Sequence, residues 1–329
     1  MNRTDLCLFA LDEADPLGRD IAQHLGHPLS RHEERRFEDG EHKCRPLESV
    51  RDKDVYVLQS LVADRELSVN DRLCRLLFFV GALADASAAR ITLVLPYLCY
   101  GRKDRQTKDR DPVITRYVAQ LLETAGASRV LTLDAHNLAA YHNAFRCPRE
   151  HLESRLLMVD YFASILDDEA VAVVSPDVGG IKRAERFRRS LANRLGQEVD
   201  NAFVEKYRSE GQITGGTLAG DIQDKAVIII DDLISTGGTL LRAAEVCQQQ
   251  GAQSIYGAAS HGLFTGDTNE LLGSPLFDRL VVTDSVLASR RPAAPQDRLV
   301  ILSVAPLLAE AVERLHGGGS LSELVGLDD

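Results

Sequence analysis

The stretch Val227-Ile228-Ile229-Ile230-Asp231-Asp232-Leu233-Ile234-Ser235-Thr236-Gly237-Gly238-Thr239-Leu240 reads as a strand, a turn and the start of a helix. Residues 227–231 are an unbroken apolar run of β-branched type closed by an acid, which predicts a strand buried on both faces of a parallel sheet. Two carboxylates then stand at its C-terminal end. Leu240, Leu241, Ala244 and Cys247 share one stripe and Gly251 follows, so a helix is predicted over 238–250. Between strand and helix, Gly237 and Gly238 let backbone N–H groups approach an anion, Thr236 and Thr239 add hydroxyl donors, and the helix N-terminus adds a positive dipole end. That is a phosphate cradle. Asp231 and Asp232 repel phosphate, but two adjacent acceptors can hold a vicinal diol. A sugar ring beside its own 5-phosphate satisfies both halves, whereas a plain Thr N-cap on a Gly-rich turn leaves the two acids unexplained.

Outward from this stretch, short apolar runs recur at 55–59, 91–95, 130–134, 171–175, 255–259 and 280–283, each pair separated by enough residues for a helix. This is the pattern of a parallel α/β architecture. Ile114, Tyr117, Val118, Leu121, Leu122 and Ala125 fall at i, i+3, i+4, i+7, i+8 and i+11 between Pro112 and Gly126, and predict a second clear helix. Gly126-Ala127 precedes a strand and then His136 just as Gly251-Ala252 precedes a strand and then His261, a constant offset of 125 residues. That offset suggests two copies of one α/β unit. At about 150 residues per domain, 329 residues give two domains, 1–152 and 153–329, divided near Pro148 and the polar stretch after it.

The composition narrows the classes. With 38 Lys and Arg against 49 Asp and Glu, the formal charge is −11, and 44% hydrophobic with 26% charged residues is an ordinary globular mixture. Neither a disordered acidic tail nor a generic nucleic-acid binder fits. No apolar run approaches the roughly 18–20 residues a bilayer requires, and 6–11 is too short and lacks the basic flank of a signal peptide. The cytoplasm is the expected location. Cys7, Cys44, Cys74, Cys99, Cys147 and Cys247 contain no CxxC pair, and read as reduced, buried small hydrophobes rather than zinc ligands.

The 227–240 stretch resembles the phosphoribosyl-binding motif of type I phosphoribosyltransferases and of ribose-phosphate pyrophosphokinases, which make 5-phosphoribosyl 1-diphosphate (PRPP) from ATP and ribose 5-phosphate. Other segments separate the two. Phe37-Glu38-Asp39-Gly40-Glu41 resembles the pyrophosphokinases' adenine- and ribose-side ATP loop, and Pro96-Tyr97-Leu98-Cys99-Tyr100-Gly101-Arg102-Lys103-Asp104-Arg105 their second ATP-binding segment. Leu133-Asp134-Ala135-His136, Ser175-Pro176-Asp177-Val178-Gly179-Gly180, Val281-Val282-Thr283-Asp284 and Leu307-Leu308-Ala309-Glu310-Ala311 also match in type and order. The likeness implies an α/β fold of two tandem phosphoribosyltransferase type I-like domains, each a mostly parallel sheet flanked by helices. It also implies a homo-oligomer whose ATP site borrows the 37–41 loop from a neighbour, with no nucleic-acid or membrane partner.

Residue by residue, the resemblance implies that Phe37, Asp39, Gly40, Glu41, Arg102, Lys103, Arg105 and His136 bind ATP. Asp231 and Asp232 would fix the ribose hydroxyls, and Ser235, Thr236, Gly237, Gly238 and Thr239 the 5-phosphate. His136 and Asp177 would hold Mg²⁺, the implied cofactor, with Asp134 helping. Lys206 and Arg208 would be the catalytic cations, opening a polar lid over 209–216. Read from the residues alone, the cationic run Arg102, Lys103, Arg105, Lys108 and Arg110 fits either polyphosphate or a solvated loop, and His136 either a ligand or a hydrogen-bonded structural side chain. A second run, Lys182, Arg183, Arg186, Arg188 and Arg189, is ambiguous, reading more as a solvated helix face or subunit contact than as a ligand site. Some positions depart from the family. Ser235 replaces an acid, Lys103 a Gln and Tyr207 an Arg, and 137–150 lacks the usual Asp pair. A PRPP-consuming transferase and a catalytically silent associated protein are the alternative readings.

Overall fold

In the computed structural model, residues 5–11, 16–166, 169–209, 212–266, 268–292 and 297–325 are described, the side chains at 206–209, 212–216 and 325 excepted. The chain divides into two compact units. Unit 1 comprises Met1–Glu153, Ser285–Ser289 and Ser303–Asp329, and unit 2 comprises Ser154–Asp284 and Arg290–Leu302.

Unit 1 begins β1 (Leu6–Ala10), α1 (Pro16–Leu25), the hairpin β2 (His32–Arg36) and β3 (His42–Pro46), then β4 (Asp54–Leu58) and α2 (Val69–Asp85). It continues β5 (Arg90–Leu95), α3 (Ile114–Ala125), β6 (Arg129–Leu133), α4 (Leu138–Ala144) and β7 (Arg149–Leu152). Its sheet has the order β1-β4-β5-β6-β7, parallel throughout. β1 and β4 are buried along their whole length, which is why they read as continuous apolar runs rather than alternating ones. On α3, Val118 and Leu122 enter the core, whereas Tyr117 and Leu121 of the same stripe stand about half exposed, as does Phe78 on α2. The helix lays only one side on its neighbours, so the broad apolar stripe exceeds the face that packing covers.

Unit 2 begins α5 (Arg155–Ile165), β8 (Val171–Ser175), α6 (Ile181–Leu195), the hairpin β9 (Val199–Ser209) and β10 (Gln212–Ala219), then β11 (Ala226–Ile234) and α7 (Gly238–Gln249). β12 (Ser254–Gly262), α8 (Asn269–Gly273), β13 (Arg279–Thr283) and β14 (Leu299–Leu302) complete it. The sheet order is β10-β9-β8-β11-β12-β13-β14, parallel except for β10. The α/β class with two mostly parallel, helix-flanked sheets therefore holds.

Two expectations change. The repeat is present, but not at an offset of 125: the sheet order β1-β4-β5-β6-β7 corresponds to β8-β11-β12-β13-β14, with the hairpin β2-β3 answering to β9-β10. β5 therefore matches β12, and α2 rather than α3 matches α7. Gly-Ala before a strand marks the αβ turn of any such unit, so it carried no register. Nor does a C-terminal domain run to 329. Helix α9 (Ala305–Gly317) and α10 (Ser322–Val325) belong to unit 1, where α9 packs on α1 as α5 packs on α6 in unit 2. A buried polar contact holds α9 there. His316 Nδ1 lies 2.7 Å from Asp54 Oδ2, and the same carboxylate accepts from Arg90 and from the Tyr56 hydroxyl.

Candidate functional site

β11 does not stop at its acids. It runs on to Ile234 because β12 continues beside it, pairing Asp231 with Ala259 and Leu233 with His261. Asp231 and Asp232 thus lie inside the strand, close to its C-terminal end. Asp232 is buried, and its N–H donates to Asp231 Oδ1 at 2.8 Å. The turn that follows needs glycine at Gly237, which has φ +86° and whose missing Cβ would come within 2.7 Å of Leu271. Helix α7 then opens at Gly238 with no side-chain cap and no acid in its first turn, leaving its N–H groups free for an anion. The Ser235 and Thr265 hydroxyls lie 2.7 Å apart, and Thr265 N–H donates to Ser235 carbonyl, which ties the turn to the segment after β12.

The acid pair has a counter-ion that the sequence reading missed. Arg183, in the first turn of α6, places Nη1 3.1 Å from Asp231 Oδ1 and Nη2 3.5 Å from Asp232 Oδ1. Burial, then the neighbouring Asp232, raise Asp231 to about 7, with Arg183 working in the opposite direction. Two others of that basic run pair within α6: Arg188 and Arg189 both meet Glu185, holding its carboxyl near 2. The signal for Arg183 was positional. β8 lies next to β11, so a cation just past the C-terminal end of β8 reaches the acids at the end of β11.

Asp177 also follows β8. Its carboxylate accepts from Gly180 N–H at 3.1 Å and caps the short turn over Val178–Gly180. Gly180 leaves no room for a side chain, since a Cβ would stand 2.6 Å from Ser175 Oγ. Lys206 and Arg208 lie on β9, paired with Gly216 and Ile213 of β10; their side chains are outside the described residues. The 209–216 stretch, expected as a loop, instead supplies Ser209 to β9 and most of β10, because its Thr and Ile continue the antiparallel ladder; residues 210 and 211 are outside the description.

In unit 1, Phe37, Asp39, Gly40 and Glu41 form the exposed tip of the β2-β3 hairpin. Phe37 N–H donates to Glu41 carbonyl, Glu41 N–H to the Asp39 carboxylate, and Gly40 takes φ +89°. The Arg35 guanidinium covers the Phe37 ring at 5.0 Å. The hairpin's base is pinned to α2 by Arg75, whose Nη1 lies 3.1 Å from Glu34 Oε2. His42, enclosed beside this pair, is held below the ordinary histidine value by burial first and Arg75 second.

The loop after β5 is organised by Asp111, whose carboxylate accepts from the Thr107 and Lys108 N–H groups and the Thr107 hydroxyl. Around that frame Arg102, Lys103, Arg105, Lys108 and Arg110 are exposed, and among the described residues none has an ion-pair partner. Five cations against Asp104, Asp109 and Asp111 leave this loop net positive in a chain of charge −11, which fits an anion-binding reading. Asn137 Nδ2 donates to Asp104 at 2.6 Å and joins this loop to the segment after β6. His136 stands there, exposed, two residues past Asp134, which has φ +41°. His136 and Asp177 belong to different units, and among the described residues no three His, Cys, Asp or Glu side chains gather as a metal-binding group. No helix among them is long and apolar enough to cross a membrane.

Comparison with known proteins gives the same direction. Residues 6–126 match the family model of the N-terminal domain of ribose phosphate pyrophosphokinase, and residues 172–326 that of the phosphoribosyl synthetase-associated domain. A ribose-phosphate pyrophosphokinase of Clostridium tetani is 38% identical, covering 98% of both chains. One from Bacillus caldolyticus is 38% identical over 97% of both. The crystal structure of phosphoribosylpyrophosphate synthetase from Mycobacterium smegmatis is similar at a TM-score of 0.85 and 33% identity, covering 96% of this chain and 100% of that one. Identity of this level over nearly the whole length, on a chain that carries the acid pair, the Gly-Gly turn and the cationic loop, places it: the chain belongs to the ribose-phosphate pyrophosphokinase family.

Proposed function

We propose that this protein transfers the β,γ-diphosphoryl group of ATP to the anomeric hydroxyl of ribose 5-phosphate, giving PRPP and AMP. The observation that carries the reading is β11 and its turn: two adjacent carboxylates leading into an uncapped helix N-terminus free of acids. Asp231 and Asp232 accept from the sugar hydroxyls, while Ser235, Thr236, Gly237, Gly238 and Thr239 enclose the 5-phosphate. In unit 1, Phe37, Asp39, Gly40, Glu41, Arg102, Lys103, Arg105 and His136 take the nucleotide, the cations gripping its phosphates. The anomeric oxygen bonds to the β-phosphorus as the bond from that phosphorus to the α,β-bridging oxygen breaks. Lys206 and Arg208, on a hairpin edge, neutralise charge on the transferring group and exclude water that would hydrolyse it.

Asp177 and His136 fit Mg²⁺ as minor ligands. Asp177 offers an oxygen donor fixed by Gly180 N–H, His136 is a less usual nitrogen donor, and a hard ion takes the rest of its shell from phosphate oxygens and water. When bound, the ion neutralises phosphate charge. The exposed 37–41 tip has the form of a loop offered to a second copy, so the reading includes a homo-oligomer with a shared ATP site, working in the cytoplasm where ATP is made available.

The test is AMP and PRPP formation by the purified protein from ATP, ribose 5-phosphate and Mg²⁺, beside Lys206→Ala. Turnover that collapses by about two to three orders of magnitude in the variant, with ribose 5-phosphate binding kept, supports the assignment. Folded wild type that forms no AMP overturns it, and PRPP consumption then becomes the reaction to assay.

A further inference from the structure

A second cation stands over the phosphate turn, from a position the family motif does not include. Arg242 is in the first turns of α7, four residues after Gly238, where a helical side chain lies back over the preceding turn. Its Nη1 comes within 3.2 Å of the point a Cβ on Gly238 would occupy, and Thr236 Oγ1 within 3.9 Å of the same point. The guanidinium therefore lies closer over Gly238 than most neighbours of a real Cβ do. It is exposed, and among the described residues neither Glu245 nor any other acid pairs with it.

This placement is electrostatically unfavourable in the free protein. Cations are favoured at helix C-termini, whereas Arg242 turns toward the positive end of α7, whose first turn holds no acid. Ser235, in the same turn, contributes a hydroxyl already paired with Thr265. The turn thus gathers backbone N–H groups, hydroxyls and a guanidinium, with no negative charge among residues 235–242. A dianion resting on the turn removes the conflict.

We propose that Arg242 is a further substrate-binding residue, closing a charge-assisted hydrogen bond on the 5-phosphate of the sugar beside the backbone N–H groups, and that it sets the preference for phosphorylated over free pentose. The proposal rests on the sugar-phosphate reading of this turn given above. A guanidinium–phosphate contact at an exposed site is worth about tenfold in affinity.

The experiment compares full-length wild type with Arg242→Ala and Arg242→Lys, measuring the KM for ribose 5-phosphate and for ATP, kcat, and the calorimetric Kd for ribose 5-phosphate alone. Free ribose serves as the substrate lacking the phosphate. The expected result for Arg242→Ala is a rise of about tenfold in KM and Kd for ribose 5-phosphate, kcat and the ATP KM within about twofold, and no change with ribose. Arg242→Lys keeps the charge without the fork and recovers part of the loss. A ribose 5-phosphate Kd within twofold of wild type in Arg242→Ala overturns the proposal, as does an equal loss with free ribose. Failure of wild type to form AMP defeats the functional reading instead, and the calorimetric Kd still decides the role of Arg242.

Discussion

Arg183→Gln isolates the counter-ion of the acid pair. The guanidinium lies 3.1 and 3.5 Å from the two carboxylates; unit charges about 4 Å apart at an effective dielectric of about 20 attract by about 4 kcal/mol. Arg183 is about a quarter exposed, so solvent screening reduces the net to about 2 kcal/mol, or about 1.5 pKa units on Asp231. Asp231 already sits above the ordinary carboxylate range, so the variant's carboxyl ionises later still, and at pH 7.5 its ionised fraction falls by roughly an order of magnitude. The assay is the KM for ribose 5-phosphate from pH 6.5 to 9. The variant should show a KM raised about eightfold at pH 7.5, recovering toward wild type by pH 9. A KM–pH profile that superimposes on wild type, or a loss that pH does not relieve, refutes the reasoning. The same shift bears on folding. The native chain keeps the Asp231 proton to a higher pH than the unfolded chain, whose carboxyl has the ordinary 3.8. It therefore binds more protons between about pH 4 and 7, and stability falls as pH rises through that window. Asp231→Asn should remove that slope and fold at least as stably as wild type at pH 8, while weakening sugar binding.

Gly237→Ala forces a Cβ onto φ +86° and into Leu271 at 2.7 Å; it should cost about 2–4 kcal/mol in urea unfolding and weaken ribose 5-phosphate binding, and an unchanged midpoint would contradict the turn geometry. His316→Ala leaves Asp54 to Arg90 and Tyr56 alone and should destabilise by about 1–3 kcal/mol, with amide exchange in α9 and α1 rising before that in unit 2; uniform exchange would refute the anchoring role. Burial pushes the Cys99 and Cys247 thiols up to about 12. Alkylation at pH 8 followed by mass spectrometry should therefore modify exposed Cys74 first and leave those two intact until denaturant is added.

Much of the site was legible because its chemistry is local. A strand of Val and Ile, two acids, a Gly-Gly turn and a striped helix are consecutive in the chain, and each signal depends on near neighbours. The cationic loop at 102–110 and the hairpin tip at 37–41 were legible for the same reason. Arg183 and Arg242 were not. Arg183 meets Asp231 only because β8 and β11 pair in parallel across 48 residues of sequence, and Arg242 differs from any exposed helical Arg only in which turn its side chain folds over. The repeat register failed for a related reason: Gly-Ala turns recur in every α/β unit, and the correspondence of the two halves shows only in the order of strands across each sheet.

By itself, then, the sequence determined the α/β class, the strands that are buried on both faces, and the succession of acid pair, Gly-Gly turn and helix start at β11, since these follow from periodicity, burial and backbone freedom within a few residues. The tertiary structure alone decided that α9 returns to unit 1, that the 212–219 stretch is a strand, and which cations face the acids and the phosphate turn. Those outcomes depend on long-range pairing. Apolar helices such as α5 and α9 can bury their stripes against either unit as far as pattern goes, and only the packing of α9 on α1, with His316 set against Asp54, selects one.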